Sequence, residues 1–307
     1  MSESALIDML RVSNALGEGI VWNALDGCAW WTDIEQHRLY RWHPSSAAIH
    51  SYAVPERAGC FAFIDDSDEL IVAFESGIAL YHPGNGQMRW LSRSEIRSGR
   101  RFNDGRADRY GRFWAGTMVE DSDRAPAASA ALYCVDRRGE VHRRLDGLQI
   151  SNGLCFSPDG RYCYVADSPR HVIFRYNVDA ESGQLRERRI FAETTSSAFP
   201  DGATVDSEGC VWSAHWGAGQ VIRYTPAGRI DRILSVPTQQ PSCVAFAGSN
   251  LDLLLVTSAR HGLSASALAE DPAAGHVFIF RTGHAGLVES RYRNEMEHAC
   301  ASQPNTI

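Results

Sequence analysis

Four short motifs place an oxygen-bearing side chain next to, or one residue away from, a glycine: Glu18-Gly19, Asn103-Asp104-Gly105, Asn152-Gly153 and Asp201-Gly202. Carboxylate and amide oxygens are hard donors that suit Ca²⁺, Mg²⁺ or Mn²⁺, and Fe²⁺ or Zn²⁺ also accept them. Two carboxylates and two amides gathered in one dry place would be costly without partners. One divalent cation removes that cost and can polarise a carbonyl or ester oxygen. Asp-Gly and Asn-Gly are also ordinary turn signals, so each motif taken singly reads as a turn. Their shared phase in a repeat makes them a candidate site.

That repeat organises the whole chain. Asp108-Arg-Tyr-Gly-Arg-Phe-Trp-Ala-Gly, Ser157-Pro-Asp-Gly-Arg-Tyr-Cys-Tyr-Val-Ala and Asp206-Ser-Glu-Gly-Cys-Val-Trp-Ser-Ala each pair a turn with an alternating aromatic and apolar strand. Gly111, Gly160 and Gly209 lie 49 residues apart in both intervals, and Asn23-Ala-Leu-Asp-Gly-Cys-Ala-Trp-Trp is a fourth copy. Weaker copies at Ile64 and Ala247 bring the count to six. Short strands recur throughout without helical periodicity, which predicts an all-β protein. Six units of three or four strands at this period predict a six-bladed β-propeller, a single domain over residues 1–307 with its repeat core at about 16–282. The first strands of the units begin near Glu18, Cys60, Asn103, Asn152, Asp201 and Ser242, with steps of 42, 43, 49, 49 and 41 residues. In a propeller those strands line the central channel, so the four oxygen donors fall on one ring.

Composition narrows the function classes. The 307 residues carry a formal net charge of −7 without a basic stripe, which argues against nucleic acid as a partner. No run approaches the length of a membrane span, so no membrane partner is expected. The start of the chain, Met-Ser-Glu-Ser-Ala-Leu-Ile-Asp, lacks the basic and apolar segments of a signal peptide. Most of the eight cysteines lie inside apolar runs and none forms a CxxC pair. They read as small buried hydrophobes in a reducing compartment, and the chain as a cytoplasmic monomer.

The stretches Leu16-Gly-Glu-Gly-Ile-Val-Trp, Arg101-Phe-Asn-Asp-Gly, Gly111-Arg-Phe-Trp-Ala-Gly-Thr-Met, Ile150-Ser-Asn-Gly-Leu and Phe199-Pro-Asp-Gly resemble the regucalcin and gluconolactonase family, with its bacterial sugar lactonases. The likeness runs from about Leu16 to Phe280. It implies that Glu18, Asn152 and Asp201 bind one divalent metal, and that Arg101 and Asn103 contact substrate. It also implies a substrate-contacting carboxylate after Gly-Thr-Met, where Asp121 aligns by count and Glu120 is its neighbour. The implied activity is metal-dependent hydrolysis of a sugar-acid lactone, with the cation polarising the lactone carbonyl and Asp201 as general base. The attacking water is either free or held by the cation. A related metal-dependent esterase and a non-enzymatic Ca²⁺- or ligand-binding propeller are the alternatives. Arg101 beside the Asn103-Asp104 pair speaks against the last, because a scaffold needs no cationic side chain there.

Other residues read more plainly. GxSxG is absent, which disfavours a serine hydrolase. His215 reads as a satisfied strand histidine, and His261 as a loop residue able to reach the pocket without a catalytic role. Trp30, Trp31, Trp114 and Trp212 read as packing between blades. Residues 121–129 read as a flexible loop over the site, and residues 289–307 leave the repeat and read as a disordered tail.

Overall fold

The computed structural model describes residues 5–46, 48–95 and 98–296. Among them, twenty-four strands form six four-stranded antiparallel sheets, accompanied by one short helix at Ala265–Glu270 and a 3-10 turn at Ser168–Arg170. The six-bladed propeller is therefore the fold. The innermost strands of blades 1 to 6 are Gly17–Asn23, Ala58–Phe63, Arg100–Ala107, Ser151–Phe156, Phe199–Val205 and Pro241–Ala247. The last blade takes its outer strand, Ala5–Leu10, from the other end of the chain, and this strand pairs antiparallel with Val277–Arg281. Sheet hydrogen bonds thereby close the ring. No helix among the described residues is long and apolar enough to cross a membrane.

The apolar core lies between blades rather than at the centre. Second strands such as Cys28–Asp33 and Leu70–Phe74 are buried on both faces because a neighbouring blade covers each side. Trp30 and Leu39 of blade 1 pack with Phe61, Val72 and Tyr81 of blade 2. Trp212 of blade 5 packs with Phe246, Val256 and Phe278 of blade 6. Trp31 and Trp114 are also fully buried in such wedges, as their place in the repeat predicts. The aspartates of the repeat explain why turn and tryptophan recur together. Asp108 accepts backbone N–H bonds from Tyr110 and Arg112 through Oδ1, while its Oδ2 accepts from Trp114 Nε1 at 2.8 Å. Asp206 does the same for Glu208, Cys210 and, at 2.9 Å, Trp212. One carboxylate closes the turn and anchors the ring that fills the wedge.

The centre of the ring is left to polar groups, and the inner strands are irregular there. Each shows a register break of the β-bulge type: Glu18/Val21, Ala58/Cys60, Phe102/Gly105, Asn152/Cys155, Pro200/Ala203 and Pro241/Val244. A bulge re-aims side chains and sharpens the local twist. Glycine is required where these strands crowd the axis. A Cβ on Gly202 would lie 2.6 Å from the Cys243 sulfur, and Gly153 has φ of +58° with the Asp201 carbonyl 2.9 Å from where its Cβ would be.

The tail departs from the expectation in part. Residues 297–307 lie outside the described residues. Residues 289–296 are not loose: they run across the lower face as a strap. Asp206 bridges to Gly286 and Ile64 to Tyr292, which is fully buried. Glu289 pairs with Arg106 at 2.8 Å, Arg291 donates to Asn23 and the Ile64 carbonyl, and Arg137 pairs with Glu295. The segment lacks the repeat because it is an element of its own, and departure from a repeat is not disorder.

Candidate active site

At the upper end of the channel a cavity of about 310 Å³ opens over the ring floor. Its volume lies at the small end of ligand pockets. Glu18, Arg101, Asn103, Asn152 and Asp201 form the floor, one inner strand after another around the axis. Leu16, Met118, Ile150, Pro169, Phe199 and Trp216 supply apolar walls, and His261 reaches in from an exposed loop. The four ring donors singled out by the repeat thus converge on one cavity, joined by Arg101.

The electrostatics of the floor are unbalanced. Glu18, Asp104 and Asp201 are all buried. Burial, and then the charge of Asp104, raises the Glu18 carboxyl above the usual range. Burial followed by the charges of Glu18 and Asp104 lifts Asp201 well above it. Burial alone lifts Asp104 to about 6, although it accepts a 2.7 Å bond from the Leu154 N–H and lies near Arg106. Asp201 Oδ1 is buried and has no hydrogen-bond partner. Among the floor residues Arg101 is the sole cation, and burial lowers its own proton affinity. An orphaned carboxylate oxygen, a second carboxylate and an amide oxygen around one axis are a donor set that a divalent cation completes.

Arg101 is held firmly. Its Nη1 donates to Asn103 Oδ1 at 2.8 Å and to the Phe102 carbonyl at 3.0 Å, and its Nε donates to Glu120 at 3.3 Å. Glu120 is gripped by both terminal nitrogens of Arg57, at 2.7 and 2.8 Å. Asn103 Nδ2 donates to Asn152 Oδ1 at 2.7 Å, so in this arrangement Asn103 points a donor, not an oxygen, toward its neighbour. Asp121 is not brought into the cavity: it pairs with Arg124 at 3.1 Å and accepts the Asp123 N–H in the turn that follows. Of the two neighbouring carboxylates, Glu120 is the one in contact with the floor. His215 is buried at hydrogen-bond distance from the Tyr224 hydroxyl, and burial lowers its pKa to about 4, which keeps it neutral.

Four residues that the sequence reading gave no ligand or substrate role also build the site. Asp104 is a third buried carboxylate near the axis. Ser168 accepts from Asn152 Nδ2 at 2.9 Å and donates to the Pro200 carbonyl at 2.7 Å. Phe199 and Trp216, register partners at one end of the inner strand pair of blade 5, wall the cavity. Asp104 stands in the Asn103-Asp104-Gly105 motif, whereas nothing in the repeat marks Ser168.

Comparison with known proteins agrees with this geometry. Residues 16–260 match the family model described as SMP-30/Gluconolactonase/LRE-like region. The chain is 38% identical over 285 residues to the 6-deoxy-6-sulfogluconolactonase of Pseudomonas putida, covering 92% of this chain and 96% of that one. It is 38% identical over 282 residues to the L-arabinolactonase of Azospirillum brasilense, covering 91% and 92%. Among solved structures, the calcium-binding protein regucalcin from Agrobacterium tumefaciens superposes with a TM-score of 0.88 at 31% identity, covering 94% of this chain and 98% of that one. With a family match over residues 16–260 and relatives at 38% identity over most of its length, the chain belongs to the SMP-30/gluconolactonase/LRE-like family.

Proposed function

We propose that the chain hydrolyses a sugar-acid lactone to the free aldonic acid in a cation-dependent reaction. The observation that carries this reading is the buried, unpartnered Asp201 Oδ1 on a floor that also presents Arg101. Lactonases of Pseudomonas putida and Azospirillum brasilense at 38% identity support the substrate class. Glu18, Asn152 and Asp201 would hold the cation, whose chemistry when bound is to polarise the lactone carbonyl and stabilise charge on its oxygen.

The residues themselves account for the rest. Asp201, ionised when the cation is bound, accepts a proton from the attacking water as the water's oxygen bonds to the carbonyl carbon. When the ring C–O bond breaks, the proton held by Asp201 passes to the leaving alkoxide. The carboxylic acid so formed ionises and releases one proton to solution. Arg101 and Asn103, locked to each other at 2.8 Å, are placed to bind substrate hydroxyls or the ring oxygen. The walls of Phe199 and Trp216 suit the C–H face of a small ring.

The same reading makes the protein a cytoplasmic monomer. Closure of the ring by Ala5–Leu10 pairs an outer strand within the chain, and the seven cysteines among the described residues are free and buried, which suits a reducing compartment. The test is proton release from a panel of aldonolactones added to metal-stripped protein, with Ca²⁺, Mn²⁺, Mg²⁺, Zn²⁺ or Fe²⁺ restored singly. Acidification above the spontaneous rate with one pair supports the proposal and names both substrate and metal. Cation binding without turnover of any lactone points to a binding protein instead.

A further inference from the structure

We propose that Ser168 is a positioning residue: its hydroxyl sets which way the Asn152 amide faces and ties that amide to the strand bearing Asp201. The proposal rests on the reading of the ring floor as a cation site. It comes from the polarity of one hydrogen-bond chain. Arg101 Nη1 donates to Asn103 Oδ1 at 2.8 Å, and Asn103 Nδ2 donates to Asn152 Oδ1 at 2.7 Å. Asn152 Nδ2 donates to Ser168 Oγ at 2.9 Å, and Ser168 donates to the Pro200 carbonyl at 2.7 Å.

Both ends of this chain are chemically fixed. A guanidinium can only donate, and a backbone carbonyl can only accept. Every member between them must therefore run in one direction, which settles amide orientations that heavy atoms alone leave ambiguous. Were the Asn152 amide turned over, two N–H groups would confront each other at Asn103. Ser168 would then donate to Asn152, and the Pro200 carbonyl would lose its donor. In the orientation found, Asn152 Oδ1 accepts one bond from Asn103 and keeps its second lone pair for the axis.

Ser168 is well placed to enforce this. It is buried and opens the 3-10 turn, and its N–H donates to the Ile150 carbonyl at 3.2 Å. The preceding Asp167 accepts from the Gln149 and Ile150 N–H groups and pairs with Arg170 at 2.9 Å. The hydroxyl thus projects from a braced turn into the gap between blades 4 and 5. Pro200 is the residue directly before Asp201, so the same hydroxyl links two strands that carry proposed ligands.

Replacing the hydroxyl tests the idea without turnover. The full-length, metal-stripped protein is titrated with Mn²⁺ alone by calorimetry, as wild type, Ser168→Ala, Ser168→Thr and Ser168→Val. Thr and Val have similar volume, and only Thr keeps the hydroxyl. Loss of an outer-shell partner weakens metal binding by about 10–100-fold, so Ala and Val should bind that much more weakly while Thr stays within about threefold of wild type. Thermal melts of the four cation-free proteins should agree, which separates orientation from general packing. Equal Mn²⁺ affinities for Thr and Val, or a wild-type affinity for Ala, would overturn the proposal. A wild type that binds no Mn²⁺ overturns the cation reading itself, which lactone hydrolysis unaffected by chelator would reveal independently.

Discussion

The two ends of the central channel handle buried charge in opposite ways. At the lower end the charge of buried Arg106 is met: Glu289 lies 2.8 Å from its Nη1 and Thr204 Oγ1 3.4 Å from the same nitrogen, although its Nε has no hydrogen-bond partner. At the upper end Glu18 and Asp201 share the floor with Arg101, the buried charge of Asp104 adds to theirs, and one Asp201 oxygen has no partner. The lower end is balanced by the protein itself and so serves stability. The upper end lacks that internal balance, and the asymmetry supports placing the proposed cation site there.

Removing the unbalanced charge should have the largest effect. Asp201→Ala is expected to reduce lactone hydrolysis by at least 10²–10⁴-fold, the usual contribution of a general base, and further through the lost cation ligand. Its cation-free melting temperature should equal or exceed wild type, because a repelling carboxylate is gone. Near-normal turnover by the folded variant would refute the assignment. At the other end, Glu289→Ala strands Arg106 and should destabilise the protein by about 3 kcal/mol in urea melts, the low side of what breaking a buried pair costs. The KM for substrate should hardly move. A shifted KM with unchanged stability would mean the two ends are not separate.

The pH dependence should differ in the same sense. Folding raises the carboxyl pKa of Glu18, Asp104 and Asp201, so the folded state of the cation-free protein binds more protons than the unfolded chain. Stability is therefore full below the ordinary carboxylate range and falls as pH rises from there through about 6, where Asp104 ionises, with Glu18 and Asp201 extending the fall upward. A saturating cation should flatten that slope, and melts across pH 4–8 with and without it, roughly the span of these titrations, would show whether it does. The smallest effect separates the adjacent carboxylates. Glu120→Gln weakens the grip on Arg101 and should lower kcat/KM by about tenfold, one charged hydrogen bond's worth. Asp121→Asn should stay within about twofold, as a surface change usually does. The reverse ranking would restore Asp121 as the substrate contact.

Much of this was readable from the chain because a propeller turns sequence period into geometry. The repeat located six inner strands and the ring residues on four of them, and glycine beside each donor marked the crowding at the axis. Asp104 was not counted with the ring donors, in keeping with the rule that neighbouring strand residues face opposite ways. The bulge between Phe102 and Gly105 suspends that rule, and both Asn103 and Asp104 reach the next inner strand, at Asn152 and the Leu154 N–H. Alignment count pointed to Asp121 with Glu120 as the alternative; just past the strand that ends at Val119, it is Glu120 that meets Arg101, while Asp121 pairs with Arg124. Ser168 was invisible because its partners, Asn152 and Pro200, are 16 and 32 residues away and meet it only once two blades are packed.

The strap beneath the ring gives the channel a floor as well as a mouth. With Arg106, Thr204 and Glu289 filling the lower end, the molecule is a cup rather than a pipe. A lactone and the acid made from it must use one doorway in turn. The acid, carrying the carboxylate newly formed at the reacting carbon, leaves past the same residues that drew the lactone in. Accumulating product should then compete with substrate for the empty cup, so progress curves slow before the lactone is exhausted.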